Sequence, residues 1–270
     1  MIKDITIGQY FPGNSVVHRL DSRMKLLLDV LYLVAIFTAQ SYTGLLICAL
    51  FMVFCYIAAN IKLIMILKSI KPIVPLMLFT AILNLFFIKG EQPLVQWWIF
   101  TIYPEGIKMA SFMLIRVISL IVGMSLLTYT TSPIMLTDAI ERILSPLKKL
   151  RFPVHELSMM MTIALRFIPT LVEETDKIMC AQKARGAELD SGGLIKKAKA
   201  LIPVLIPLFV SAFKRANELA TAMECRCYRG GDGRTRLRQL KTAPRDYVAL
   251  LIVLALLGGV IVINFFPILP

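Results

Sequence analysis

Apolar positions along this 270-residue chain gather into long runs over the first half and at the far end, with helical spacing in between. A helix needs about 20 residues, at 1.5 Å each, to cross a hydrocarbon layer roughly 30 Å thick. Five stretches meet or approach that length: Met24–Ala39, Thr43–Ile61, Pro72–Ile88, Ile107–Tyr129 and Tyr247–Pro267. The first is short and carries Asp29. The third opens on Pro72 and Pro75, which a first helical turn tolerates because its N–H groups have no intrahelical acceptor.

Between the fourth and fifth stretches the pattern changes. Leu136, Ile140, Ile143, Leu147 and Leu150 line one face of a short helix interrupted at Pro146. A second helix is predicted from near Pro153 to Arg185, bending at Pro169 and stopped by Gly186. A third runs from about Gly193 to Tyr228, with bends at Pro203 and Pro207 and with Gly230 and Gly231 ending it. Its apolar face comprises Leu194, Ala198, Leu201, Leu205, Leu208, Ala212, Ala216, Leu219 and Met223. The most apolar parts, Leu157–Val172 and Ala200–Phe213, fall short of a crossing, so both long helices are read as amphipathic and surface-lying. The predicted fold is an all-α integral membrane protein in four parts. These are an N-terminal arm (1–23), a four-helix transmembrane region (24–130), a block of long amphipathic helices (131–243) and a final transmembrane helix (244–270).

Composition agrees: 57% of residues are hydrophobic and mean hydropathy is +0.74, beyond the roughly 45–50% apolar content of soluble domains. The net charge of +13 fixes orientation once it is located. Basic residues crowd the N-terminal arm, the Lys62–Lys71 connection and the Thr131–Ala243 block, and are nearly missing from the other two connections. By the positive-inside rule the N-terminus and the block are cytoplasmic and the C-terminus is external. Met1–Ser22 lacks the apolar core of a secretory signal. Trp97, Trp98 and Tyr103 suit an aromatic belt, and Val95–Tyr103, rich in β-formers between two prolines, suits a short hairpin or a re-entrant segment.

Chemistry-bearing groups are sparse. The five cysteines are an odd number, against a disulfide framework. Cys225 and Cys227, with only His18 and His155 elsewhere, do not supply the four ligands of a zinc site, and no metal or other cofactor is expected. No glycine-rich phosphate loop is present, so ATP chemistry has to come from a partner. The basic run Arg229–Lys241, just before a span, suits an anionic phospholipid contact or a solvated loop rather than nucleic acid. Asp29, Asn84 and Arg116 are polar groups inside predicted spans. Asp29 is one turn from Lys25, which predicts a local ion pair, and Arg116 has Asp29, Asn84 or a partner protein as candidate partners. A self-contained permease or membrane enzyme built around these three residues is the competing functional reading.

Two arginines stand out by position. Arg185, within Ala184-Arg185-Gly186, ends the second helix of the block, and Arg226, within Cys225-Arg226-Cys227, ends the third. A cation is favoured at a helix C-terminus by about 0.3–1 kcal/mol. Yet with the third helix turning back on the second, the two arginine ends fall at opposite extremes of the pair, an arrangement suited to two copies of a soluble partner.

With these motifs the chain resembles the transmembrane T-component (EcfT) of energy-coupling factor transporters, a branch of the ATP-binding cassette importers. The same resemblance is carried by Ile7-Gly8-Gln9-Tyr10-Phe11-Pro12-Gly13, by His18-Arg19-Leu20-Asp21-Ser22-Arg23-Met24-Lys25-Leu26 and by Ala222-Met223-Glu224 leading into Arg226. The second tripeptide departs from Ala-Arg-Gly but keeps the arginine. The resemblance implies a non-catalytic scaffold for vitamin or metal-ion uptake in a bacterial cell membrane. Its coupling helices hold two ATPase subunits through Ala184, Arg185, Gly186, Cys225, Arg226 and Cys227, and its helical surface holds a membrane-embedded substrate-binding S-component.

Overall fold

The computed structural model describes residues 10–62, 64–88, 95–97, 100–150, 152–187, 193–230 and 242–265. Opening motif residues Ile7, Gly8 and Gln9, the belt residue Trp98, Gly231 and most of the Arg229–Lys241 run lie outside them, as do the side chains of Leu194 and Ala198. The described chain is helical apart from one antiparallel hairpin, β1 (Val95–Trp97) with β2 (Phe100–Ile102), in which Val95 pairs with Ile102 and Trp97 with Phe100. Two compact units divide the chain: Gly8–Ala139 with Leu240–Pro270, and Ile140–Gln239 with Met1–Ile7.

In the first unit each of the five expected stretches contains a helix. These are α1 (Ser22–Thr38), α2 (Tyr42–Ala58), α4 (Val74–Phe87), α5 (Pro104–Thr130) and α9 (Pro244–Phe265), with α3 (Ile64–Ile70) before α4. Among the described residues, only α5 and α9 are single helices long and apolar enough to cross a bilayer. At 17 residues, α1 and α2 reach about 25 Å. The third stretch differs from the expectation of one plain span. The chain is already helical in the Lys62–Lys71 connection, and α3 meets α4 at a 65° bend across Lys71, Pro72 and Ile73. Pro72 cannot continue the hydrogen-bond ladder of α3, while Pro75 sits harmlessly in the first turn of α4.

The core forms where α1, α2, α5 and α9 meet. Tyr32, Ile36, Leu45, Cys48, Met52, Tyr56, Val122, Leu126 and Val260 are buried in one cluster. Small residues let the helices approach, as membrane packing requires. A β-carbon at Gly106 of α5 would lie 3.1 Å from the Leu85 carbonyl oxygen and 3.2 Å from that of Asn84, both on α4. Asn264 of α9 donates to the Thr38 carbonyl at 2.7 Å and accepts from the Gln40 N–H at 3.1 Å, closing the turn between α1 and α2. Phe37, Phe54, Phe87, Leu251, Val262 and Phe265 face outward. An apolar exterior around a packed core is the arrangement that hydrocarbon, as solvent, selects.

The second unit contains two long helices, α7 (Val154–Ala184) and α8 (Leu194–Cys225), preceded by a 3₁₀ turn at Ser145–Leu150. α6 (Pro133–Leu144) leads into it. α7 runs unbroken through Pro169, and α8 through Pro203 and Pro207.

Candidate functional site

α7 and α8 run antiparallel, as their cross-links show. Gln182 Nε2 donates to the Pro203 carbonyl at 3.3 Å. Ser211 donates its hydroxyl to Glu174, and the Arg215 guanidinium reaches the same carboxylate at 2.8 Å. The partner numbers fall on one helix as they rise on the other. Farther along, Tyr228 Oη lies 3.5 Å from His155 Nε2, whose Nδ1 is 3.2 Å from Glu141 Oε1. The Ser211 hydroxyl, together with Arg215, holds the Glu174 carboxyl below the usual carboxylate range. Arg185 therefore sits at one end of the hairpin and Arg226 at the other, separated by roughly the 45 Å length of a helix of this size.

The two ends are built alike. Arg185 is the last residue with near-helical geometry on α7, and the chain then reverses at Gly186, whose φ is +85°. Gly186 N–H donates to the Lys183 carbonyl at 3.0 Å and Ala187 N–H to that of Gln182 at 3.0 Å. On α8, Arg226 is the cap and Cys227, with φ at 56°, takes the glycine's place. Cys227 N–H donates to the Glu224 carbonyl at 2.8 Å and Tyr228 N–H to that of Met223 at 3.0 Å. Both sets are the paired bonds of a Schellman cap, which satisfies carbonyls left over at a helix end. Ala184, Arg185, Gly186, Cys225, Arg226 and Cys227 are all exposed. Among the described residues nothing bonds the guanidinium of Arg185 or Arg226.

The caps differ in cost. Nothing lies within 4 Å of a β-carbon placed on Gly186, but a left-handed backbone there still disfavours any side chain. Cys227 carries that penalty already, of order 1 kcal/mol. Replacing Cys227 with Gly is therefore expected to stabilise the end of α8 by about 1 kcal/mol, and Gly186→Ala to destabilise the end of α7 by a similar amount. Thermal unfolding in detergent should show opposite shifts of the midpoint.

The apolar face assigned to α8 needs correction. Leu208, Ala212, Leu219 and Met223 are half-buried, together with Ser211 and Arg215, and Val204 is buried. Leu201, Leu205 and Ala216 stay exposed. Ile202, Ile206, Phe209, Val210 and Phe213 are exposed beside Leu201 and Leu205. One strip of α8 packs on α7 and a second, wider strip is open. The sequence suggested a single stripe because it counted positions by 3.6-residue periodicity, which does not separate a helix-facing strip from an adjoining open one.

The intramembrane trio is not gathered into one place. Asp29 lines an apolar cavity of about 370 Å³ with Leu28, Phe51, Cys55, Leu127 and Val248. Lys25 does not pair with it: its Nζ donates to the Thr130 carbonyl at 2.8 Å and the His18 carbonyl at 3.1 Å. The Thr130 carbonyl at the end of α5 takes the ammonium where that helix's dipole is negative, and the His18 carbonyl accepts beside it. Arg116 donates to the Ala39 carbonyl at 2.6 Å and lies 4.6 Å over the Phe112 ring. Ala39 is ten residues beyond Asp29, roughly 15 Å along α1. Asn84 is half-buried on α4. Among the described residues no group of three or more His, Cys, Asp or Glu side chains could hold a metal ion.

Fold and site together define an integral membrane protein whose second compact unit is an antiparallel helix pair with an exposed arginine at each end. Residues 13–237 match the family model described as cobalt transport protein (CbiQ). The chain is 55% identical over 257 residues, 95% of each chain, to the energy-coupling factor transporter transmembrane protein EcfT of Clostridium kluyveri. It is 52% identical over 265 residues to that of Ruminiclostridium cellulolyticum, covering 98% of this chain and 99% of the relative. The EcfT of Lactococcus lactis is 44% identical over 245 residues, 91% of this chain and 92% of its own. The chain belongs to this family of energy-coupling factor transporter transmembrane proteins.

Proposed function

We propose that this chain is the energy-coupling scaffold of an ATP-driven importer in a bacterial cell membrane, with a cytoplasmic N-terminus and an external C-terminus. Arg185 and Arg226 each dock one cytoplasmic ATPase subunit. Arginine suits that task because its planar fork can hold a carboxylate by two parallel hydrogen bonds. Small neighbours, Ala184 and Gly186 at one end and Cys225 and Cys227 at the other, let the partner surface come close. The open apolar strip of α8 faces a membrane-embedded substrate-binding S-component, and basic residues near the membrane meet anionic phospholipid. The chain itself catalyses nothing; ATP is hydrolysed by the docked subunits, and the block 131–243 passes their movement to the transmembrane segments 24–130 and 244–270.

The observation that carries this reading is the equivalence of the two caps. Two arginines in the same cap position, exposed and at opposite ends of one antiparallel hairpin, supply two like docking points for two like subunits. The separation of Asp29 from Arg116 removes the basis for a self-contained permease centred on them. A mass-spectrometric inventory of the complex purified from its native membrane tests the proposal. Two ATPase subunits and an S-component are expected per scaffold. A chain that purifies alone and binds a transported solute by itself would refute it.

A further inference from the structure

Three segments far apart in sequence converge on one buried point of the membrane unit. Lys25, in the first turn of α1, is 7% exposed and holds the carbonyl of Thr130, the last residue of α5, as well as that of His18. Asp246, in the first turn of α9, is 1% exposed and accepts the Asp21 N–H at 3.0 Å and the Ala243 N–H at 2.7 Å. Asp21 in turn caps α1 by accepting the Arg23 N–H at 2.9 Å and pairs with the Arg23 guanidinium at 3.2 Å. Two cations and two anions thus form a formally neutral knot in which all three buried ions, Asp21, Lys25 and Asp246, have hydrogen-bond partners.

The position of this knot in the chain gives it meaning. The chain enters α6 at Pro133, three residues after Thr130, on its way to α7, and Ala243 is the last residue before α9 on the way back from α8. The two chain connections between the α7–α8 hairpin and the membrane helices, one leaving through α6 and one returning to α9, thus each meet the membrane helices at a backbone group that this knot grips. Both grips converge on the start of α1, one through Lys25 and the other through the Asp21 N–H. A displacement that reaches Thr130 or Ala243 moves the start of α1 with it or breaks a hydrogen bond of the knot. Buried ion pairs are weak devices for stability, since well-packed hydrocarbon often does as well. The Lys25 N–H donates to the Asp21 carbonyl at 2.9 Å and so joins the two sets of bonds, and a continuous hydrogen-bonded network is a physical route for coupling between separated sites.

We propose that Lys25 and Asp246 are positioning residues of a mechanical node that passes movement of the α7–α8 hairpin into α1, α5 and α9. The proposal rests on the energy-coupling reading above. It also gives a role to the His18–Lys25 motif, which the docking ends leave unused.

The test is amide hydrogen exchange on the intact complex with its ATPase subunits, comparing the nucleotide-free state with ATP plus vanadate. In the unaltered protein, peptides covering 20–30 and 243–250 should change exchange along with those of α7 and α8. In Lys25→Met the ATP-dependent difference at 20–30 and 243–250 should fall at least about twofold, while ATP hydrolysis stays within about twofold, the range expected of residues that modulate coupling without touching a ligand. Lys25→Arg, which keeps the donor, should retain the difference, and Asp246→Asn should behave like Lys25→Met. The node is refuted if the unaltered protein responds in α7 and α8 but not at these peptides, or if both variants keep the full response. It is refuted equally if both variants simply fail to assemble, since the residues would then be structural alone. No ATP-dependent change anywhere in the chain would instead overturn the energy-coupling reading.

Discussion

Arg226→Glu and Arg185→Glu are each expected to strip the complex of an ATPase subunit and to stop ATP-dependent uptake. Under the proposed docking, loss of one partner from a desolvated charge pair costs about 2–5 kcal/mol, and reversal adds repulsion against the carboxylate proposed to receive the arginine. Affinity should fall by about 30-fold or more, since 1.4 kcal/mol is a factor of ten. Each arginine is the exposed cap of its helix, with no described partner inside the chain, so the folded hairpin should survive the change. Thermal unfolding near that of the unaltered protein, with ATPase subunits missing from the co-purified complex, is the expected pair of results. Full co-purification and normal uptake in both single variants would remove these arginines from the docking site. Arg→Lys should be intermediate, because an ammonium keeps the charge but loses the two-pronged geometry.

The second large effect lies in the membrane core. A β-carbon at Gly123 would stand 2.6 Å from Cε1 and 2.8 Å from Cδ1 of Tyr32. That ring is 1% exposed, and its hydroxyl bonds the carbonyls of Cys48 and Ser119 at 3.4 Å, so it is held between α2 and α5. Alanine would gain up to about 1 kcal/mol of helix propensity over glycine, but overpacking a filled core typically costs about 1–3 kcal/mol. The clash wins: Gly123→Ala should lower the unfolding midpoint, and Gly123→Val should prevent recovery of folded protein. Gly258, with nothing within 4 Å, is the control at which alanine should be neutral or stabilising. A tolerated Gly123→Val would mean that Tyr32 can leave its place.

Signals that act locally were readable from the sequence alone. The end of α7 follows from Gly186 and its Schellman cap, and the end of α8 was placed within a few residues although its left-handed residue is Cys227. Apolar runs place a helix in each of the five stretches, and of the two forms that the β-formers at Val95–Tyr103 suit, a hairpin or a re-entrant segment, the chain has the hairpin. Partnerships at long range were not readable. Lys25 looked like the mate of Asp29, four residues on, yet its acceptor belongs to Thr130, and Asp246 bonds a backbone group 225 residues away. No spacing rule reaches that far. α3 was missed because Lys62, Lys68 and Lys71 marked the segment as a connection, and a charge count gives topology without giving local conformation. Glu174 and Arg215 went unnoticed for a similar reason, since their pairing exists only once two helices have been laid side by side.

The two prolines of α8 carry one more consequence. Pro207 has no N–H to offer the carbonyl of Pro203, four residues earlier, and that carbonyl is met instead by the side chain of Gln182 on α7. The ladder of one helix is thus completed by a rung borrowed from the other, three residues short of Arg185. Such a helix is no freestanding rod. At the level of Pro203, bending α8 either pulls on the end of α7 through Gln182 or exchanges that donor for water.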